Sequence, residues 1–143
     1  MFMHRNRTTI RRVTTVSLQH KDFIRENGDK HITQESFDYY APGRNVRTDV
    51  LLECRDKAQN LLGIAFADCS LYYSAFSITV VSKAARHKGY GARLLRAKLR
   101  EARKHSCTLA ARVSQVNTES LRLCRKVLGH GLLRGDHYIF IGR

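Results

Sequence analysis

The apolar positions of this chain change their spacing near its middle. Residues 10–18 (IRRVTTVSL) are rich in β-branched side chains and predict a strand. Residues 21–27 predict a short helix closed by Gly28. Residues 33–40 predict another, with Thr33 as N-cap and Pro42-Gly43 ending it. Two runs, residues 45–55 and 61–68, flank the polar segment 56–60 and predict a hairpin. Residues 74–81 (SAFSITVV) predict a further strand, buried in its second half.

From there helical spacing takes over. Residues 91–105 contain many good helix formers and no internal breaker. Leu95, Leu99 and Ala102 fall on one face, and Arg93, Arg96, Arg100 and Arg103 on another. Residues 108–114 predict a strand. Residues 118–128 predict a helix capped by Asn117 or Thr118 and ended by Gly129 and Gly131. Residues 137–141 (HYIFI) predict the last strand. There is no internal repeat, and strands and helices interleave, so the pattern predicts one α/β (α+β) domain over residues 1–143. A chain of 143 residues is too short to give two domains a good core each.

Charge adds something the pattern does not. The net charge is +14 at pH 7. Residues 1–81 carry 11 basic and 9 acidic side chains, whereas residues 82–143 carry 15 and 3. A field of that sign attracts phosphorylated cofactors, nucleic acid or acidic proteins. In the helix of residues 91–105 only Glu101 offers the arginine stripe an internal partner, which points to an external anion. No apolar run approaches the ~20 residues of a membrane-spanning helix, so no membrane partner is expected.

Cys54, Cys69, Cys107 and Cys124 are widely spaced, with no Cys-x-x-Cys. The histidines show no i,i+4 pair, so no metal is expected. Without a secretory signal, reduced thiols and a cytoplasmic location are the expectation. The stretch before Asp22 carries Arg5, Arg7, Arg11 and Arg12 and no acid, as a transit peptide does, but its β-branched run reads better as a strand.

The sharpest local feature is Arg86-His87-Lys88-Gly89-Tyr90-Gly91-Ala92, between a strand and a long basic helix. Two glycines allow a tight turn, and the helix that follows supplies free N–H groups and a positive dipole end. Such a turn suits a pyrophosphate. It is neither a Walker loop nor a full Gly-x-Gly-x-x-Gly, because position 94 is Leu94.

A strand, then Arg-x-x-Gly-x-Gly, then Leu-Leu in a long helix resembles the coenzyme A site of the GNAT N-acetyltransferases. Val113 and Asn117, followed by Ser120, Leu121, Leu123 and Lys126 and then a Gly, resemble that family's second signature. The resemblance covers about residues 61–141. Residues 61–143 would form the coenzyme A-binding core and residues 1–60 the variable substrate side. The fold it implies is a mixed, mostly antiparallel sheet of six to seven strands. Helices would lie on both faces, and a central strand pair (residues 74–81 and 108–114) would splay.

By the same resemblance, acetyl-coenzyme A is the co-substrate. The amides from Arg86 to Ala92 would bind its pyrophosphate, with charge from Arg86, Lys88 and Arg93 and contact from His87. Backbone groups at Ile78, Val80 and Val81 would pair with the pantetheine arm like an added strand. Asn117 would face the cofactor, and the Val81 amide would be the oxyanion donor. The family's usual acid is a Tyr in the second helix, and Cys124 stands at the aligned position. Tyr138 and Tyr73 are the alternative acids. No Glu occurs on the strand of residues 74–81, so Asp68 or water would serve as base.

The reading is an N-acetyltransferase acting by direct attack of a primary amine. The basic balance favours an amine carried on an anionic macromolecule: nucleic acid, aminoacyl-tRNA or an acidic protein surface. The alternative is a GNAT-like module that binds nucleic acid or an acidic protein with weak or no catalysis. Monomer and homodimer both remain open.

Overall fold

The computed structural model describes residues 8–28, 42–69 and 77–142. Among these the order is β1 (Thr9–Val13), α1 (Leu18–Asn27), β2 (Val50–Arg55), β3 (Leu61–Ala67), β4 (Ser77–Val81), α2 (Tyr90–Lys104), β5 (Leu109–Ser114), α3 (Thr118–Leu128), β6 (Leu132–Arg134) and β7 (His137–Gly142). The strands form two antiparallel sheets, β1-β2-β3-β4 and β5-β7-β6. No ladder joins β4 to β5 among the described residues, so the expected splay is complete. The predicted helix over residues 33–40 lies outside the described residues.

β2 and β3 form the expected hairpin, with Leu52 opposite Ala65 and Val50 opposite Ala67. Its turn is tied by Asp56, whose side chain accepts from the Asn60 amide at 2.8 Å. Both strands are buried on both faces, because successive side chains alternate between two cores. Leu51, Ile64 and Phe66 pack with Phe23 and Ile24 of α1. Leu52, Cys54 and Ala65 pack with Leu94, Leu95 and Ala102 of α2 and with Phe140 of β7. Helices therefore cover both faces of the four-stranded sheet. Each large side chain so buried contributes about 1.5–3 kcal/mol.

Two boundaries moved for local reasons. The strand expected over residues 10–18 stops at Val13, and the helix expected from residue 21 starts at Leu18. Ser17 is the cause. Its hydroxyl accepts from the His20 amide at 3.2 Å, and its own amide donates to His20 Nδ1 at 2.9 Å. That is a capping box with histidine in the role usual for Glu. β6 was not anticipated; its three residues are all exposed, so no buried pattern marks it.

His20 is buried, and its Nε2 lies 2.6 Å from Glu53 Oε2. Arg55 Nη2 donates to the same carboxylate at 2.8 Å. These partners, His20 first, hold the Glu53 carboxyl down at about 2 instead of 4.5. The charged carboxylate thus stabilises the fold fully above pH 4.5, and that contribution is lost as pH falls through 2. Glu53→Gln should lower stability by about 3 kcal/mol at pH 7. Denaturant melts of the variant should also lose part of the decline seen in the native chain between pH 4.5 and 2.

Candidate active site

The open edges of β4 and β5 border a cleft of about 690 Å³. Backbone parity decides what β4 offers to it. The Ser82 amide donates to Leu62 O at 2.8 Å, and Val81 stands opposite Gly63. Hydrogen-bonded pairs recur at every second residue of an antiparallel ladder. Val80 and Ile78 therefore turn their N–H and C=O groups toward β3. Val81 and Thr79 turn theirs to the cleft. The expectation that Ile78 and Val80 present free backbone groups is corrected by this one-residue parity, and Thr79 takes their place.

After β4 a short 3-10 turn, Lys83–Ala85, is capped by the Ser82 hydroxyl. The loop beyond it uses left-handed backbone at His87 (φ 64°) and Gly89 (φ 88°). Gly89 is the N-cap of α2 and brings no capping side chain, and the first turn carries no acid. The amides of Tyr90, Gly91 and Ala92 are left for a ligand. A Cβ on Gly91 would sit 3.4 Å from Leu123 and 3.6 Å from Val81, so the helix start is pressed against α3 and the β4 edge. A Cβ on Gly89 would meet nothing within 4 Å; that site requires glycine for its φ, and its surroundings are open.

Arg86, His87, Gly89, Tyr90, Gly91 and Ala92 line the cleft, as do Asn117 and Cys124. Arg86 is bound into the scaffold: Nη2 donates to Asn27 O at 2.6 Å, Nε to Val81 O at 3.4 Å, and Nη1 is 4.0 Å from Glu119. Asn117 caps α3, its Oδ1 accepting from the Ser120 amide at 3.3 Å. Lys88 is exposed and outside the cleft wall. Arg93 also lies outside it, bonding the hydroxyl of Thr8, the residue just before β1.

The acid and base candidates separate. Cys124 lies in the cleft wall, where burial pushes its thiol pKa up and nearby Lys98 partly offsets the rise. Tyr138 is not in the wall; the Arg125 guanidinium lies 5.1 Å from its ring centroid, and Phe140 packs on it at 6.4 Å. Asp68 is buried beyond the end of β3, next to Asp49, and does not reach the cleft. Tyr73 lies outside the described residues.

The sequence model of the Acetyltransferase (GNAT) family matches residues 52–130, the stretch that builds β2 to α3 and the cleft. The chain belongs to the GNAT acetyltransferase family. No curated protein matches the sequence. Among solved structures, the chain is similar to a putative acyl-CoA N-acyltransferase from Klebsiella pneumoniae (16% identity, 96% of this chain and 97% of that one, TM-score 0.73). It is also similar to a GNAT family acetyltransferase from Elizabethkingia anophelis with acetyl-CoA bound (12%, 96% and 98%, TM-score 0.69). A third is the ribosomal-protein-S18-alanine N-acetyltransferase from Escherichia coli (13%, 94% and 91%, TM-score 0.65).

One residue of this GNAT cleft went unremarked in the sequence. Lys98 is only 2% exposed. It stands on the apolar face of α2, three and four positions after Leu95 and Leu94, and that spacing was the available signal. Its Nζ donates to Ser77 Oγ at 2.7 Å, to Ile78 O at 3.0 Å and to Thr79 Oγ1 at 3.0 Å. Burial lowers its pKa to about 7.

The four cysteines are free and buried, and burial raises the thiol pKa at Cys54, Cys69 and Cys124. Iodoacetamide at pH 8 should therefore modify Cys124 at least about tenfold more slowly in the native GNAT domain than in urea. Equal rates, read by peptide mass spectrometry, would remove Cys124 from the buried cleft wall.

Proposed function

We propose that this GNAT domain transfers the acetyl group of acetyl-coenzyme A to a primary amine by direct attack, and that the amine is carried on an anionic macromolecule. The observation carrying the first half is the continuity of two unsatisfied backbone surfaces. The uncapped amides at the start of α2 adjoin the open edge of β4. A diphosphate fits the first and an extended amide-bearing arm fits the second.

Bound coenzyme A would supply an acetyl thioester, a carbonyl already activated toward amines. The chain's own groups do the rest. Tyr90, Gly91 and Ala92 amides hold the diphosphate. The Thr79 and Val81 backbone groups align the arm. The Val81 amide donates to the carbonyl oxygen as it gains charge. Asp68, placed outside the cleft, is not available as base, so water carries the proton from the amine.

Surface charge supports the second half. Arg96, Arg100 and Arg103 are exposed along α2 and Arg125 along α3, while the exposed Arg122 and Lys126 border the cleft itself. A coenzyme A molecule uses two or three cations, which leaves most of this field for the acceptor's carrier. The carrier is expected to be a nucleic acid, an aminoacyl-tRNA or an acidic protein.

Acetyl-coenzyme A should raise the melting temperature, by about 2.7 kcal/mol of stabilisation at one hundred times Kd. Gly89→Asp should weaken that binding at least about a hundredfold, since it strains a left-handed position and puts a carboxylate at the diphosphate. Unchanged affinity in this variant would overturn the cradle. Binding without thiol release on any amine would favour the non-catalytic module instead.

Filter binding of tRNA should weaken steeply between 50 and 200 mM salt, by about 10³-fold if some six phosphates are contacted. An affinity flat across that range would remove the nucleic-acid carrier and leave an acidic protein.

A further inference from the structure

Among the described residues Lys98 is the one buried Lys or Arg side chain. It lies eight residues beyond Tyr90, about 12 Å along the α2 axis from the cradle. Its partners Ser77, Ile78 and Thr79 mark the end of β4 away from that cradle. An arm held at Tyr90–Ala92 and laid along Val81 and then Thr79 brings its sulfur to this depth.

Among the described residues no carboxylate acts on the ammonium. The ionisable groups whose charge does are the thiols of Cys124 from α3 and Cys69 from the end of β3. On the β4 side it meets two hydroxyls and a carbonyl, with Phe66 O of β3 at 3.5 Å. A buried cation facing only neutral dipoles is under-compensated. It will favour any anion that forms beside it.

We propose that the Lys98 ammonium meets the departing thiolate of coenzyme A and stabilises its charge. This rests on the acetyl-coenzyme A reading above. The acceptor nitrogen bonds to the acetyl carbon, the C–S bond breaks, and its electron pair stays on sulfur. The Lys98 ammonium keeps its proton beside the new thiolate, and the proton released by the acceptor nitrogen leaves through water.

The other groups fit this step poorly. The Cys124 thiol is pushed up by burial. Tyr138 is outside the cleft wall. His137 sits opposite Ser114, at the end of β5 that leads to Asn117 and the cradle, and its Nδ1 is held 2.6 Å from Asp136.

The test is a pH titration of coenzyme A bound to the intact protein. Thiolate absorbance is read against the desulfo-coenzyme A complex, and occupancy is checked by melting-temperature shift in the same samples. The bound thiol should titrate about one to three units below free coenzyme A. Lys98→Met should bring it back to within about half a unit of the free value, and Lys98→Arg should keep the depression. Bound coenzyme A with an unshifted thiol in the native protein overturns the proposal and leaves the acetyltransferase reading standing; this arm needs no variant to fold. Depression that survives in folded Lys98→Met also overturns it. Failure of coenzyme A to bind at all overturns the acetyltransferase reading, and this inference falls with it.

Discussion

Two neighbouring strands that do not pair are the constraint on which the rest of this structure depends. β4 and β5 border the same cleft, yet each is the edge of its own sheet. An open edge leaves N–H and C=O groups without partners and invites foreign strands. The fold holds the gap open from behind. α2 packs against both sheets through Leu94, Leu95 and Ala102, and α3 joins it through Leu121 and Cys124. The start of α2 at Gly91 lies in ordinary packing distance of Leu123 of α3 and of Val81. Arg86 ties the end of α1, β4 and α3 together around the mouth. The gap is thus a supported feature, and its polar edge is available to a ligand that can act as a strand.

Much of this arrangement could be read from residues alone. α3 runs from Thr118 to Leu128 with Asn117 as its cap, as the apolar spacing and cap chemistry require. α2 and β7 fall within one residue of expectation. Gly89 and Gly91 mark the turn, although only Gly89 is required there, by its left-handed φ. The strand ending at Val81 was placed correctly, but the direction of its backbone groups was not. Side-chain alternation shows which face is buried; it does not show which edge is open. That depends on the partner's register, and only the Ser82–Leu62 bond and the β3 pairing settle it.

Lys98 was passed over for a related reason. In a helix with so many basic residues, one more lysine reads as surface. Its position relative to Leu94 and Leu95 is the only local mark of burial, and the oxygens that receive it belong to β4 and β3, brought against α2 only by the fold. Asp68 and Tyr138 show the converse. Both have chemistry suited to proton transfer, and both are turned into other surroundings by tertiary packing. Residue type names a capability; only the walls of the cleft say whether it is used.

The same separation applies to the charge. The basic side chains of residues 82–143 are not one population. Arg86 is bound into the scaffold, Lys98 is buried at the inner end of the cleft, Arg122 and Lys126 border the cleft, and Arg96 and Arg100 are exposed on α2. The buried one acts over a few ångströms at low effective dielectric, where one charge alters a neighbouring proton equilibrium. The exposed ones are screened within about 8 Å at physiological salt. A single net charge of +14 therefore contains two populations of cations, one buried in the cleft and one exposed to solvent. Because they differ in range, salt separates them: added ions weaken the outer field and leave the inner charge nearly intact.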